Sequence, residues 1–174
     1  MKNYKFCPYC GNPSKKYDDF FACPKCGKKV FMNSHPTTSA FVIKNGKYLI
    51  SKRAIQPQKG TYDTVGGFLN NGEHPEKGIV REFKEETRLT IKIDNLLGVY
   101  VDKYEYQGDL VNTLNFCYVA KIIKGNINPQ DDVASLHWFS IDKTPKNLAF
   151  DWIRKALKDL QIWHAKQQKT KIND

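Results

Sequence analysis

The chain has 174 residues, with 28 Lys and Arg against 18 Asp and Glu, for a net charge of +10. That length suits one domain of ordinary size with a small appendage, and a hydrophobic content of 40% is enough to build a core. No apolar run reaches membrane length and the opening MKNYKF does not read as a signal peptide, so a cytoplasmic location without a membrane partner is expected.

The positive excess points to polyanionic partners. Much of it lies in Lys15, Lys16, Lys25, Lys28 and Lys29 and in the tail from Lys155 to Lys171. Phosphorylated small molecules and nucleic acid both suit such a surface, and so does plain solvation.

Residues 1–33 form the first unit. Cys7-Pro-Tyr-Cys10-Gly and Cys23-Pro-Lys-Cys26-Gly are matched knuckles separated by twelve residues. Each folds the backbone so that two thiolates point inward, and Gly11 and Gly27 follow where a turn wants positive φ. Together Cys7, Cys10, Cys23 and Cys26 make a tetrahedral site for structural zinc, a zinc ribbon. Iron in a rubredoxin-like site shares this knuckle, and a pair of disulfides is disfavoured in a reducing compartment. So short a stretch buries little surface, and metal binding should supply its folding energy.

Residues 34–37 read as a linker, and the main domain is expected over 38–166. Ser39 to Lys44 is a strand, Asn45-Gly46 a hairpin turn, and Lys47 to Arg53 the returning strand. Arg53 closes that strand beside a loop, where a cation could reach a substrate diphosphate. Thr61 to Val65 is a further short strand delivering Gly66-Gly67, which lack side chains and let the backbone approach a metal or phosphate.

After a loop, Pro75 suits the first turn of a helix that carries Arg81-Glu82-Phe83-Lys84-Glu85-Glu86. Glu82, Glu85 and Glu86 share one face, while Ile79, Val80, Phe83 and Thr87 cluster on a neighbouring one. Like charges at this spacing cost about 0.2–0.5 kcal/mol per pair, so something positive should sit among them. Hard oxygens in a cluster suit Mg²⁺ or Mn²⁺. Arg81 and Glu85 are spaced to pair, which would orient the Glu85 carboxylate.

Beyond this helix, Ile91 to Ile93, Leu96 to Tyr104 and Leu110 to Ile123 read as strands, the last two joined at Gln107-Gly108-Asp109. Cys117 reads as a buried small hydrophobe. Leu136 to Ile141 is the last strand, Leu148 to about Ala165 an amphipathic helix packed on the sheet, and 167–174 a polar tail.

Gly67, five residues, Glu73, seven residues, Arg81-Glu82, one apolar residue, Lys84-Glu85-Glu86-Thr87, one residue, Leu89: this pattern resembles the signature of the Nudix hydrolases. It departs at Arg88, where the family has Gly to close the helix. Keeping the same left-handed conformation there should cost an Arg about 1 kcal/mol.

The resemblance implies an α/β/α sandwich with a mixed sheet, preceded here by the four-cysteine zinc ribbon. A ribbon fused ahead of such a domain is similar to the branch that includes the NADH pyrophosphatases and related hydrolases of dinucleotides and nucleotide sugars. The implied activity is Mg²⁺- or Mn²⁺-dependent cleavage of a nucleoside diphosphate linked to another moiety. Glu82 and Glu86 resemble direct metal ligands, Glu85 a third ligand or the group that orients the water, and the carbonyl of Gly66, or of Gly67, a further ligand. Glu73 and Arg81 resemble structural supports, as does Gly67.

The family's general base often lies outside this signature. Asp131, Asp132 and Glu105 are candidates, and Asp132 is preferred because it precedes the last strand. NADH-specific members carry a Pro- and aromatic-rich motif shortly after the signature. Ile91 to Val101 has no Pro and one aromatic residue, so ADP-ribose, FAD or a similar compound is expected instead. Two alternatives are cleavage of nucleoside triphosphates and a nucleic-acid-binding regulator whose Nudix domain senses a ligand. Nucleic acid is the less favoured partner, and a homodimer is expected by resemblance alone.

Overall fold

The computed structural model describes residues 4–172. The chain divides into two compact units. One combines Met1–His35 with Lys103–Asn112, and the other combines Pro36–Asp102 with Thr113–Asp174.

In the first unit, β1 (Lys15–Lys16), β2 (Phe20–Ala22) and β3 (Lys29–Phe31) form a three-stranded antiparallel sheet. Both knuckles close on their own backbone: Gly11 N–H donates to Cys7 O and Gly27 N–H to Cys23 O, each at 2.9 Å. Both glycines have positive φ, 71° and 69°, as the turns require.

The second unit is built on a seven-stranded sheet. β4 (His35–Lys44) and β5 (Lys47–Arg53) form a hairpin through Asn45-Gly46, whose φ values of 50° and 68° are those of a primed turn. β6 (Tyr62–Asp63) pairs with β5, and β7 (Val65–Phe68) with β4. After α1 (Pro75–Thr87) come β8 (Thr90–Tyr106), β9 (Asp109–Lys124), β10 (Val133–Ser140) and α2 (Asp151–Ile172). The main path of the sheet is β10-β5-β4-β9-β8.

Strict alternation along the central strands fills two cores. On β4, β5 and β9, the side chains of Phe41, Tyr48, Ile50, Cys117 and Val119 face α2, meeting Trp152, Ile153, Ala156, Leu157 and Leu160. Their neighbours Ala40, Val42, Leu49, Tyr118 and Ala120 face α1, meeting Ile79 and Phe83. A sheet buried on both faces by helices is the three-layer arrangement expected, a mixed sheet with its ribbon ahead. Phe83 is fully buried, which stabilises α1 against the sheet by about 1.5–3 kcal/mol. That docking fixes the acidic side of α1.

Several boundaries differ from the sequence reading. β4 begins at His35, inside the stretch read as a linker, because Thr37 pairs with Phe68 and the Leu69 N–H donates to Pro36 O at 3.1 Å. The stretch 61–65 serves two partners, with β6 on β5 and β7 on β4. β8 runs unbroken through residues 94–95, and α2 continues to Ile172, beyond the end expected near Ala165.

Candidate functional site

α1 begins with His74 as N-cap. Its Nδ1 accepts from the Glu76 N–H at 3.3 Å, and Pro75 takes the first helical position. The Thr38 hydroxyl donates to Pro75 O at 2.9 Å and ties this end to β4. At the other end Arg88 holds φ 61° and ψ 10°, and its N–H donates to Lys84 O at 3.2 Å. The left-handed cap is therefore kept although the residue is not Gly.

β7 lays Gly66 and Gly67 along the acidic side of α1. Gly66 has φ 145°, and a Cβ there would stand 2.1 Å from Thr38 O. A Cβ on Gly67 would stand 2.8 Å from Glu82 Oε1. The double glycine is what lets the backbone and the Glu82 carboxylate come this close. The Gly66 N–H donates to Glu86 Oε2 at 3.3 Å.

Arg81 sets a guanidinium among the glutamates. Its Nε and Nη2 donate to Glu73 Oε1 and Oε2 at 2.8 and 2.9 Å, a two-pronged bond. Nη1 donates to Glu82 Oε1 and to Glu85 Oε2, both at 2.8 Å. Nη2 also reaches Phe68 O at 3.4 Å. Glu85 is the exposed member of the set, while Glu82 and Glu86 are buried.

These contacts order the acidities. The hydrogen bonds from Arg81, helped by the Asn70 N–H, hold Glu73 down to about 2. Burial raises Glu82, opposed by its bond to Arg81. Burial pushes Glu86 up to about 8; the charge of Glu82 adds to this, the Gly66 N–H opposes it, and the charges of Asp132 and Asp63 raise it further. Among the described residues no cation pairs with Glu86. A buried carboxylate without a cationic side chain is favoured in its charged form by a divalent cation, which hard oxygens suit.

Asp132, read from the sequence as the preferred base, is exposed yet close enough for its charge to be felt at Glu86. Its carbonyl accepts from the Ala54 N–H at 2.8 Å, and Gln130 N–H donates to Glu86 O at 2.8 Å, which ties this loop to the end of α1. Asp131 is exposed with φ 48°. Glu105 belongs to the first compact unit.

Arg53 is turned inward: Nη1 donates to Asp63 Oδ2 at 2.6 Å, Nε donates to Pro57 O at 2.7 Å, and the guanidinium lies over the Phe150 ring. Asp63 was not singled out in the sequence. Burial raises it, opposed by Arg53. No local pattern marked it: Thr64 beside it is buried as well, and its partner Arg53 lies on another strand.

In the ribbon, Cys7 and Cys26 Sγ are 3.7 Å apart and Cys10 and Cys23 Sγ 3.5 Å apart. All four sulfurs lie within 4.8 Å of one another. A disulfide would need about 2.05 Å. Four sulfurs around zinc at about 2.3 Å sit about 3.8 Å apart, so the cluster fits the metal.

The model of the NUDIX domain family matches residues 33–160. An ADP-ribose pyrophosphatase of Methanocaldococcus jannaschii is 34% identical over 139 residues, covering 78% of this chain and 79% of that protein. A NAD-capped RNA hydrolase NudC of Pseudomonas aeruginosa is 29% identical over 168 residues, 92% of this chain and 56% of that protein. The chain thus spans about half the length of the NudC relatives it matches. A solved NUDIX hydrolase from Nitrosomonas europaea superposes with a TM-score of 0.72 at 25% identity, covering 88% of each chain.

Proposed function

The chain belongs to the NUDIX hydrolase family, and from that premise we propose that it cleaves the diphosphate of a nucleoside diphosphate linked to a second moiety, with ADP-ribose the foremost substrate. The observation that carries the reading is the buried pair Glu82 and Glu86, set against Gly66-Gly67, with Glu86 left without a cationic partner among the described residues. The name of the Methanocaldococcus relative, which is matched over most of both chains, supports ADP-ribose.

Glu82, Glu86 and the Gly66 carbonyl would hold Mg²⁺ or Mn²⁺, with Glu85 a third ligand or the group that orients the water. Bound there, a divalent ion offsets the charge of the diphosphate and eases deprotonation of water. Arg81 keeps three glutamates in register through one guanidinium. Asp132 accepts the proton of the attacking water, and the P–O bond to the leaving phosphate breaks, giving AMP and ribose 5-phosphate from ADP-ribose. Arg53 holds Asp63, whose charge is felt at Glu86, and would act on the site through that carboxylate.

The ribbon would hold structural zinc, and its reduced thiols suit a reducing compartment such as the cytoplasm. The test is a panel of ADP-ribose, NADH, FAD and deoxynucleoside triphosphates, each with Mg²⁺ and with Mn²⁺. Turnover of ADP-ribose above the rest is expected, and turnover of triphosphates alone would overturn the assignment.

A further inference from the structure

Arg53 stands where two loops meet. The first, residues 54–61, joins β5 to β6 and is bonded throughout. At its base the Arg53 N–H donates to Thr61 O and the Gly60 N–H to Arg53 O, both at 3.0 Å. Further in, the N–H and hydroxyl of Thr61 donate to Gln58 O at 3.1 and 2.6 Å. Arg53 Nε crosses the loop to Pro57 O at 2.7 Å, and Nη1 donates to Asp63 Oδ2 on β6 at 2.6 Å. Both side chains of this ion pair are 11% exposed. Asp63 is itself fixed, because its Oδ1 accepts from the Thr64 N–H and its carbonyl from the Ser51 hydroxyl, each at 2.8 Å.

The second loop precedes β10 and carries Asp132. Asn128 N–H donates to Thr87 O at 3.0 Å and Gln130 N–H to Glu86 O at 2.8 Å, so the loop fills carbonyls that the end of α1 would otherwise leave unpaired. Val133 N–H returns to Gln130 O at 3.0 Å and closes a turn over Asp131 and Asp132. The two loops join where Ala54 N–H donates to Asp132 O at 2.8 Å, and Val133 pairs with Arg53 in the ladder. Asp132 is thus held from α1 on one side and from the residue after Arg53 on the other.

We propose that Arg53 is a positioning residue for Asp132. By clasping the first loop to Asp63 it fixes the Ala54 N–H, and through that bond it sets where the Asp132 carboxylate meets the attacking water. The role rests on the reading of Asp132 as the proton acceptor. It calls for a planar group, since Nε and Nη1 serve two acceptors, Pro57 O and Asp63 Oδ2, in directions fixed by one guanidinium. An ammonium would keep the charge beside Asp63 but is a single point on a flexible stem. A loosened loop leaves Asp132 present but misplaced, and a misplacement of about 1 Å can cost about a hundredfold in rate.

The experiment combines Arg53→Lys and Asp132→Asn, singly and together, in the zinc-loaded full chain, reading ADP-ribose hydrolysis with Mn²⁺. Arg53→Lys alone should lower kcat about thirtyfold and move KM less than about twofold, with Mn²⁺ affinity kept. In the Asp132→Asn background it should cost less than about twofold, because the group it positions is gone. An equal cost in both backgrounds, or a rise in KM with kcat kept, would overturn the proposal in favour of a direct hold on the diphosphate. Full turnover in Asp132→Asn would remove the base reading and this proposal with it. Amide exchange needs no turnover: the Ala54 N–H should exchange about tenfold faster or more in Arg53→Lys, with the N–H groups of β4 level. Exchange at Ala54 as in the parent would overturn the clasp whatever the substrate proves to be. Arg53→Gln with Asp63→Asn, neutral on both sides, replaces Arg53→Lys in both measurements should the lysine variant not fold.

Discussion

Arg81 grips Glu73 with two parallel hydrogen bonds of 2.8 and 2.9 Å, and the same guanidinium reaches Glu82 and Glu85. One planar fork thus links the loop before α1 to the acidic side of the helix. Lysine carries the charge but cannot supply this fork. Arg81→Lys should lower the melting temperature by several degrees, a loss of about 1–3 kcal/mol. ADP-ribose hydrolysis should fall about tenfold or more as Glu82 and Glu85 lose their orientation. Thermal unfolding and steady-state kinetics on the same preparation check both.

Glu73 and Glu86 should pull stability in opposite directions with pH. Glu73 is held at about 2, so its contribution is present above its unfolded value near 4.5 and is lost as pH falls towards 2. Glu86 is raised to about 8, so the folded state holds a proton that the unfolded state has released, and stability is lost as pH rises from 4.5 through 8. With zinc in place and no magnesium, the Glu86 contribution to the melting temperature should therefore decline from about pH 5 to about pH 8 and level off above that. Mg²⁺ or Mn²⁺ should raise the melting temperature more at about pH 9 than at about pH 6. An equal rise at both values would mean that the ion does not compete with the Glu86 proton.

A side chain at Gly67 should damage the chemistry more than the fold. The Cβ of Gly67→Ala would lie 2.8 Å from Glu82 Oε1, the movable end of a side chain, so the carboxylate shifts and the strand stays. A drop in hydrolysis of about a hundredfold with little change in urea midpoint is expected. Gly66→Ala is the contrast. Its Cβ would meet the Thr38 carbonyl at 2.1 Å from a φ of 145°, and several kcal/mol of stability should be lost.

Arg88 closes α1 at φ 61° without the glycine that this position favours. Arg88→Gly should stabilise the protein by about 1 kcal/mol and leave hydrolysis unchanged. Arg88→Ala should bring no such gain. Urea denaturation of the pair separates conformational relief from loss of the side chain.

Cys23→Ser should release the ribbon metal and destabilise the ribbon, because the four sulfurs converge as a closed set and the unit has little else to bury. Atomic absorption should report loss of zinc, while ADP-ribose hydrolysis falls less than in any variant of the glutamates.

What was legible in the sequence was spacing. Cys7, Cys10, Cys23 and Cys26 announced a converging site because two short knuckles leave their sulfurs few places to go. Glu82, Glu85 and Glu86 announced one acidic face because helical periodicity is local, and Phe83 and Ile79 supplied the buried side that docks it. Partnership across the sheet was not legible. Asp63 owes its importance to Arg53 ten residues earlier and to Glu86 on another element, and no local pattern carries that. Arg53 read as a strand-end cation that could reach a diphosphate, and its bond to Asp63 was not legible for the same reason. The early start of β4 at His35 came from pairing with β7, a non-local ladder. The continuation of α2 to Ile172 lies where apolar periodicity fades and polar helix formers carry on.

Nothing tests the role of the buried carboxylates more directly than Mn²⁺ binding to the parent and to Glu86→Gln, measured by calorimetry at about pH 8 with zinc retained and followed by ADP-ribose hydrolysis. Glutamine keeps the shape and removes the charge. Mn²⁺ affinity should collapse and turnover fall about a thousandfold, while the melting temperature without added ion stays level or rises because a buried charge is gone. Unchanged Mn²⁺ affinity with unchanged turnover in Glu86→Gln would contradict the assignment of this helix as the site of metal-assisted hydrolysis.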